Sequence, residues 1–195
     1  MSIKSIAVFS GKGGVGKTTL AAALAQISGR TLIDCDPQLT ATDWGDRRTA
    51  APSVISAQLG RVPLLVEQQR RVVVDTPGAL IGNLTAALRA VDLVVLVTGD
   101  GQPEIDALPA SIDAAVGTGT PVVVVLNRIH PLSSCGELIE VIAGLGATVC
   151  PEVVRERSAH RRAWVDGQTA VEYDPDSTAA AEVHRVWQWL ERRGH

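Results

Sequence analysis

Residues Gly11 to Thr18 contain four glycines, two lysines and a threonine at the spacing of a phosphate-binding loop. Glycines let the backbone turn its N–H groups toward phosphate oxygens, and the positive end of a following helix adds to the same anion site. Lys17 would reach the β- and γ-phosphates of a nucleotide, and the hydroxyl of Thr18 would ligate Mg²⁺. The loop therefore predicts a site for a magnesium nucleotide.

The residues on either side of this phosphate loop supply the elements that the motif needs. An apolar run from Ile3 to Phe9 precedes the loop, and a helix-like run from Thr19 to Ile27 follows it. A strand before the loop and a helix after it distinguish a phosphate-binding loop from a glycine-rich turn that binds nothing.

Two acidic segments follow other apolar runs. Val72 to Asp75 is a valine run that ends in an aspartate, and Asp34 to Gln38 contains two more carboxylates. Ligands of open α/β sheets gather at the carboxyl ends of strands, so both segments suit a magnesium nucleotide. Asp75 would hold the metal or a water bound to it. From the residues alone, Asp34 to Gln38 is equally well an ordinary turn.

The composition predicts an α/β domain with an aliphatic core. The chain has 195 residues, of which 46% are hydrophobic, 20% charged and 3% aromatic. Val, Leu, Ile and Ala are the usual residues of buried parallel strands and of the helices that cover them. Because β-branched runs alternate with helix-like segments and no linker interrupts them, we expect a single domain over residues 1–195 with a mostly parallel twisted sheet and helices on both faces.

The individual elements follow from the periodicity of apolar residues. Strands are expected over Ile3 to Phe9, Thr31 to Asp34, Arg71 to Asp75, Leu93 to Thr98, Val122 to Leu126 and Ala147 to Cys150. Helices are expected over Thr18 to Ser28, Ala79 to Ala90, Glu104 to Val116, Ser133 to Leu145, Ser158 to Asp166 and Asp176 to Arg192. The stretch from Trp44 to Gln69 gives no clear pattern.

Neither the cysteines nor the apolar runs indicate export or a membrane span. Three cysteines without CxxC spacing argue against disulfides and against zinc. No apolar run reaches the ~18 residues of a span, and the first ten residues are too few for a signal peptide. We therefore expect a soluble cytoplasmic protein. Four histidines lack metal-ligand spacing and are expected at the surface, namely His130, His160, His184 and His195.

The second lysine of the loop, Lys12, points to one family. It comes too early to be the usual phosphate lysine, so it needs another purpose, such as reaching the nucleotide of a second subunit. The run from Lys12 to Thr19 resembles the Lys-Gly-Gly-x-Gly-Lys-Thr-Thr signature of the deviant Walker ATPases, the ParA/MinD superfamily. The chain looks most like the small ParF-like partition ATPases. This resemblance implies a three-layer P-loop NTPase fold and an ATP-dependent homodimer in which Lys12 contacts ATP in trans.

The resemblance also implies roles for individual residues. The expected nucleotide contacts are Gly11, Lys12, Gly13, Gly14, Val15, Gly16, Lys17, Thr18 and Thr19. Asp36 would orient the attacking water, while Asp34 and Asp75 would join Thr18 around the metal. The expected catalytic residues are Lys12, Lys17 and Asp36, and the expected cofactors are ATP and Mg²⁺.

Asn127 follows the run from Val122 to Leu126, a place where proteins with such loops often read the base. Its amide can pair with the donor and acceptor edge of adenine. The segment from Asn127 to His130 lacks the lysine and aspartate of guanine readers, so ATP is favoured over GTP. A strand-end cap is the alternative role for Asn127. By resemblance, the loop that packs against the base is Pro151, Glu152 and Val153.

Arg155, Arg157, His160, Arg161 and Arg162 form a basic cluster in a chain whose net charge is −3. Doubled in a dimer, its arginines would contact DNA phosphates without reading bases. A solvated helix face is the alternative interpretation. The resemblance favours nonspecific double-stranded DNA as a partner of the ATP-bound state, which would place that state on the nucleoid.

The predicted function is that of a DNA partition ATPase whose slow hydrolysis is stimulated by a ParB-type centromere-binding partner. A positioning ATPase that uses a membrane or a protein adaptor is the alternative. A membrane is disfavoured because the apolar stripe of the last helix is short and the tail from Arg192 to His195 adds no hydrophobic residue. Trp187 is expected to pack that helix on the domain and Trp189 to be partly exposed. A redox protein of the nitrogenase-iron type would need two cluster-binding cysteines at a dimer face.

Overall fold

The computed structural model describes residues 3–79 and 82–193, which form a parallel sheet covered by helices on both faces. The strands are β1 Ser5–Phe9, β2 Thr31–Asp34, β3 Val54–Ser56, β4 Val72–Asp75, β5 Leu93–Thr98, β6 Val122–Leu126 and β7 Thr148–Val149. Their spatial order is β3-β2-β4-β1-β5-β6-β7, and each neighbouring pair is parallel. The predicted fold class is confirmed.

Helices lie between successive strands and continue after the last strand. They are α1 Lys17–Ser28, α2 Thr40–Asp46, α3 Val62–Gln69, α4 Leu84–Arg89, α5 Gln102–Val116, α6 Gly136–Gly144, α7 Ser158–Val165, α8 Ala170–Tyr173 and α9 Thr178–Arg193. A short 3₁₀ turn, Leu59–Arg61, precedes α3. Within residues 3–79 and 82–193, no helix combines the length and the apolar character needed to cross a membrane.

The sheet has a separate hydrophobic core on each face, and alternate residues of a strand pack into one or the other. In β1, Ile6 and Val8 pack on one face with α1 and α9, while Ala7 and Phe9 pack on the other with α3 to α6. Side chains of a strand alternate between faces, and strands buried on both faces need apolar residues at every position. The valine-rich runs of this sequence meet that need, and a three-layer arrangement results.

All six predicted strands are present, with small differences at their ends. The prediction missed β3, α2 and α3, which fall wholly or partly in the stretch without clear pattern, and it missed α8. These elements contain between three and eight residues, so few periods are available to reveal them. The helix expected from Ala79 begins at Leu84 instead, and residues 80 and 81 of that prediction lie outside the described residues.

The last helix packs as expected. Val183, Val186, Trp187 and Leu190 of α9 are buried in the core beside α1, and Trp189 is only partly buried. The apolar stripe that could have faced a lipid surface is thus covered by the chain itself. Residues 194 and 195, including His195, lie outside the described residues.

Candidate nucleotide-binding site

Parallel order brings the motif-bearing strand ends to one edge of the sheet. The register of β4 pairs Asp75 with Val8 of β1 and with Asp34 of β2. The phosphate loop leaves β1 at this same edge. The sheet therefore assembles the phosphate loop and both acidic segments, as the sequence predicts.

The phosphate loop has the backbone shape that its glycines allow. Gly14 and Gly16 have φ angles of 88° and 79°, in the left-handed region that other residues rarely adopt. Gly16 also precedes the first residue of α1 and has no side chain with which to cap the helix. The N–H groups of the first turn are thus left for another acceptor, and an anion is the acceptor that such a helix end favours.

Two further glycines are needed for packing around this loop. A Cβ atom on Gly11 would lie 2.0 Å from the Ser111 hydroxyl of α5, and one on Gly78 would lie 3.2 Å from the Cα atom of Gly13. The loop is therefore held between α5 and the segment after β4. The sequence motif explains Gly11 by phosphate binding, whereas the structure adds a steric requirement.

Lys17 lies at the centre of the site and is buried. Its Nζ atom is 2.5 Å from Oδ1 of Asp75 and 4.0 Å from Oδ2 of Asp36. Burial raises the pKa of Asp75 to about 6, even though the Lys17 ammonium beside it lowers that pKa. Three of the predicted site residues are thus brought together around one ammonium group.

The surroundings of Asp75 fit a magnesium ion. Its Oδ2 atom is buried and has no hydrogen-bond partner among the described residues. Buried carboxylate oxygens are normally satisfied, and a metal ion or a metal-bound water would satisfy this one. No group of three His, Cys, Asp or Glu side chains suited to a metal occurs in residues 3–79 and 82–193. Magnesium does not need such a group, because it keeps several waters and takes phosphate oxygens.

The two aspartates after β2 have different surroundings. Asp34 accepts hydrogen bonds from the backbone N–H of Asp36 at 3.0 Å and from the N–H and hydroxyl of Thr42 at 2.8 and 2.9 Å. These bonds fasten the first turn of α2 to the end of β2. Asp36 accepts a hydrogen bond from the Gln38 N–H at 3.0 Å, and its side chain is 22% exposed. Asp36 is thus the accessible carboxylate of the pair.

Lys12 lies at the rim of the loop. Its backbone is held by Ser10, whose hydroxyl donates to the Lys12 carbonyl at 2.8 Å and accepts from the Lys12 N–H at 3.2 Å. The Lys12 side chain is exposed. Its backbone is therefore fixed while its ammonium group remains in solvent.

A cavity of about 400 Å³ adjoins the start of α1. Its lining includes Gly16, Thr18 and Thr19 around the start of α1, Asn127 and Arg128 after β6, and apolar side chains such as Trp164. Ligand pockets of this size are typical for small molecules and cofactors. The cavity is therefore large enough for the base and sugar of a nucleotide whose phosphates lie in the loop.

Asn127 lies between the loop and this cavity. Its Nδ2 atom donates to the Val15 carbonyl at 2.7 Å, and the side chain is almost fully buried. With one of its two amide hydrogens engaged there, the amide oxygen and the second amide hydrogen remain for a ligand.

The loop expected against the base is shifted. Pro151, Glu152 and Val153 do not line the cavity; Val154 and the three residues after it do. Val154 donates to the Leu126 carbonyl at 3.0 Å, so the chain continues alongside β6 and reaches the cavity only at this point. Glu152 instead pairs with Arg185 of α9, at 2.9 Å.

The basic cluster divides into two parts. Arg155 donates to the backbone carbonyls of His130, Pro131 and Ser133 at 2.8, 3.1 and 3.1 Å. Arg157 pairs at 2.7 Å with Glu182, a buried carboxylate that needs a cation.

Arg161 and Arg162, by contrast, are exposed on α7. The four predicted DNA-binding arginines therefore do not form one free surface, because two of them hold the chain together.

The histidines also differ from the prediction. His130 is exposed, but His160 and His184 are partly buried. The Nε2 atom of His160 is buried without a hydrogen-bond partner in the part of the chain that the structure describes. Burial lowers the pKa of His160 below its usual value.

Comparison with known proteins gives a family profile and a relative that match most of this chain. Residues 6–170 match the sequence profile of the CobQ/CobB/MinD/ParA nucleotide binding domain. The maintenance of carboxysome distribution protein A of Gloeobacter kilaueensis is 37% identical, and the match covers 96% of this chain and 94% of that protein. The chain belongs to the MinD/ParA family. The resemblance carried by Lys12 to Thr19 is thereby confirmed.

Solved structures of the family share the fold. The cell division ATPase MinD of Pyrococcus furiosus is 22% identical, with a TM-score of 0.74, and the match covers 99% of this chain and 100% of that one. A ParA family ATPase from Chlorobium tepidum is 16% identical, with a TM-score of 0.72, over 97% of this chain and 98% of that one. At these identities the likeness concerns the architecture, and the chemistry of this MinD/ParA protein rests on its own residues.

The cavity wall contains residues that the sequence motifs missed. Arg128, Glu156 and Trp164 line the cavity, yet none belongs to a nucleotide motif. Trp164 stacks on the buried Trp44 of α2, with ring centroids 5.3 Å apart. The sequence does place Trp164 on a predicted helix beside arginines. Its stacking partner Trp44, however, lies 120 residues earlier in the chain, and no spacing rule connects the two.

Proposed function

We propose that this MinD/ParA protein is an ATPase that acts as a nucleotide switch to position a cargo within the cell. ATP and Mg²⁺ bind at the phosphate loop, two copies associate through their nucleotides, and slow hydrolysis ends the association. The proposal is carried mainly by one observation. A buried lysine lies 2.5 Å from one aspartate and 4.0 Å from another, at the start of the helix that follows the loop.

This arrangement suits phosphoryl transfer, in which the protein mainly positions groups and stabilises charge. Lys17 supplies a fixed positive charge at the position of the transferred phosphate. Mg²⁺, when bound, would be held by Thr18 and the free oxygen of Asp75 and would neutralise charge on the phosphate oxygens. Asp36 is accessible and its carboxylate is oriented by the Gln38 N–H, which suits a residue that orients a water molecule.

Lys12 supports association through the nucleotide. Its ammonium group is exposed at the rim of the loop while Lys17 already occupies the inner position. Two lysines directed at one set of phosphates in one subunit would repel each other. We therefore propose that Lys12 contacts the nucleotide bound by the second copy.

A positioning role is preferred over plasmid partition because of the 37% identical relative, whose name refers to carboxysome distribution. On this proposal the stimulating partner is an adaptor protein on the cargo rather than a ParB-type centromere-binding protein. Contact with nonspecific DNA is retained as part of the proposal and is assigned to Arg161 and Arg162 alone. A membrane anchor is not proposed, because the apolar stripe of α9 is buried.

The test measures binding to nonspecific duplex DNA with ATP, with ADP and without nucleotide, at low and moderate salt. The variant Arg161→Ala/Arg162→Ala is compared with Arg61→Ala/Arg89→Ala, which removes two exposed arginines elsewhere. Salt-sensitive binding that needs ATP and is lost only in the first variant would support the DNA contact.

Absence of DNA binding in every state would restrict the proposal to a protein adaptor. Absence of ATP binding and hydrolysis would overturn it.

A further inference from the structure

Arg128 has an unusual backbone conformation at the edge of the cavity. Its φ angle is 56°, in the left-handed region that residues with a Cβ atom seldom adopt. Such conformations persist where the surrounding structure requires them, and they cluster at ligand sites. The residue directly follows Asn127 and lines the cavity.

The side chain of Arg128 lies against the phosphate loop. Its Nη1 atom donates a hydrogen bond to the carbonyl of Gly14. Its Cδ and Cγ atoms lie so near Gly16 that a Cβ atom there would be 3.1 and 3.2 Å from them. The stem and the head of Arg128 thus contact the two loop glycines with left-handed backbones.

This contact continues the one made by Asn127, which donates to the carbonyl of Val15. A peptide group is planar and trans, so its C=O and N–H point in opposite directions. Because Arg128 and Asn127 hold two successive carbonyls on their side, the N–H groups of Val15 and Gly16 point to the other side. Backbone N–H groups turned to one side form the concavity in which such loops hold phosphates.

We infer that Arg128 is a positioning residue for nucleotide binding, which braces the phosphate loop in its phosphate-accepting conformation. The inference rests on the proposed nucleotide-binding function and adds a residue outside the sequence motifs. Arg128 acts through Gly14 and Gly16, so its role differs from that of Lys17.

Glu156 does not account for the placement of Arg128. The two side chains are 3.4 Å apart and about half exposed, at 51% and 49%. Exposed ion pairs of this kind contribute little, because solvent screens them and both side chains lose freedom. The bond to a backbone carbonyl has a charged donor and a fixed acceptor and is the stronger constraint.

The test compares four variants by calorimetric titration with ADP and with inorganic pyrophosphate, after thermal melts establish that each is folded. Arg128→Met keeps the stem but loses the donor, and Arg128→Lys keeps a donor. Arg128→Gly relieves the left-handed backbone and removes the side chain. Arg70→Met is the matched control, because Arg70 is also exposed and left-handed, with φ 61°, but lies outside the cavity.

If Arg128 braces the phosphate loop, Arg128→Met and Arg128→Gly should bind both ligands about tenfold more weakly. Arg128→Lys should stay within about threefold of the wild type, since a charged donor remains. Arg70→Met should bind as the wild type does. Pyrophosphate carries no base, so a loss confined to ADP would overturn the brace in favour of a contact with the base.

Wild-type affinity for both ligands in folded Arg128→Gly and Arg128→Met would also overturn the inference while leaving the proposed function intact. A wild-type protein that binds neither ADP nor pyrophosphate would instead overturn the proposed function, and the inference with it.

Discussion

The two halves of the candidate site use their cations differently. The loop side comprises the phosphate loop with Asp36 and Asp75. Its buried Lys17 faces these two carboxylates, and on the proposed function a nucleotide phosphate would become its partner. The wall side comprises residues 127–130 and 154–164, and its arginines Arg155 and Arg157 are bound to carbonyls and to a buried glutamate. The lysines of the loop side thus face carboxylates or solvent, whereas Arg155 and Arg157 on the wall side maintain the structure. A count of positive charge cannot separate these two roles.

The largest expected effect is on the loop side. Lys17→Ala should weaken ADP binding by at least about 100-fold, because it removes a charged donor from the phosphate position and leaves Asp75 unpaired. Calorimetric titration with ADP measures the loss. Unchanged ADP affinity in a folded Lys17→Ala protein would show that Lys17 does not bind the nucleotide, and the proposed difference between the two sides would be wrong.

Substitution of Asp36 should lower the rate of ATP hydrolysis by a factor of similar size. Asp36→Ala should keep ATP binding and ATP-dependent association but lower the hydrolysis rate about 100-fold, since a misplaced reacting group costs about that much. Phosphate release and light scattering with ATP measure the two properties. A variant that still hydrolyses ATP at the wild-type rate would remove Asp36 from the mechanism.

Substitution of Lys12, also on the loop side, should distinguish nucleotide binding from the association of two copies. Lys12→Ala should bind ADP with an affinity within about threefold of the wild type, because Lys17 alone reaches the phosphates of its own subunit. ATP-dependent association should be lost. Sedimentation with ATP and with ADP tests this, and normal association of the variant would contradict the contact in trans.

Substitutions on the wall side should change stability more than binding. Arg157→Ala should lower the free energy of unfolding by about 2 kcal/mol, because it leaves the buried Glu182 carboxylate without its cationic partner. Arg161→Ala, on the helix α7 that begins directly after Arg157, is the matched control and should stay within about 0.5 kcal/mol. Urea unfolding measures both. Equal stability of the two variants would show that the ion pair of Arg157 with Glu182 does not stabilise the protein.

A smaller effect concerns the ion pair between Glu172 of α8 and Arg48, which follows the end of α2. Arg48 donates to both carboxylate oxygens of Glu172, at 2.6 and 2.9 Å. Burial raises the pKa of Glu172, but hydrogen bonds from Arg48 and Thr169 outweigh burial and lower it below its usual value. Glu172→Gln should cost about 1 kcal/mol of stability at pH 7 and leave ADP affinity unchanged.

The dependence of that effect on pH has a definite sign. A carboxylate whose pKa is lowered by folding stabilises the protein fully above its unfolded pKa of about 4.3. This contribution is lost as the pH falls through the lower pKa of the folded state. The difference between wild type and Glu172→Gln should therefore disappear in acid, and a constant difference from pH 7 to pH 3 would contradict the assignment.

The predictable part of the fold consists of long, strongly patterned segments. The valine runs of β4, β5 and β6 and the loop before α1 follow local rules, because a strand buried on both faces needs an unbroken apolar run. β3 has three residues and α2 has seven. Elements this short are stabilised by contacts with distant residues, such as Trp44 against Trp164, and such contacts leave no local pattern.

The sequence by itself determined the phosphate loop, the positions of Lys17 and Asp75 at one sheet edge, and the membership of the MinD/ParA family. Those properties depend on neighbouring residues and on the rule that parallel strands end together. Only the tertiary structure decided that Arg155 and Arg157 are occupied and that Arg128 contacts a loop 114 residues earlier in the chain. The physical reason is that a charged side chain acquires its role from its partner, and these partners meet only when the sheet is complete.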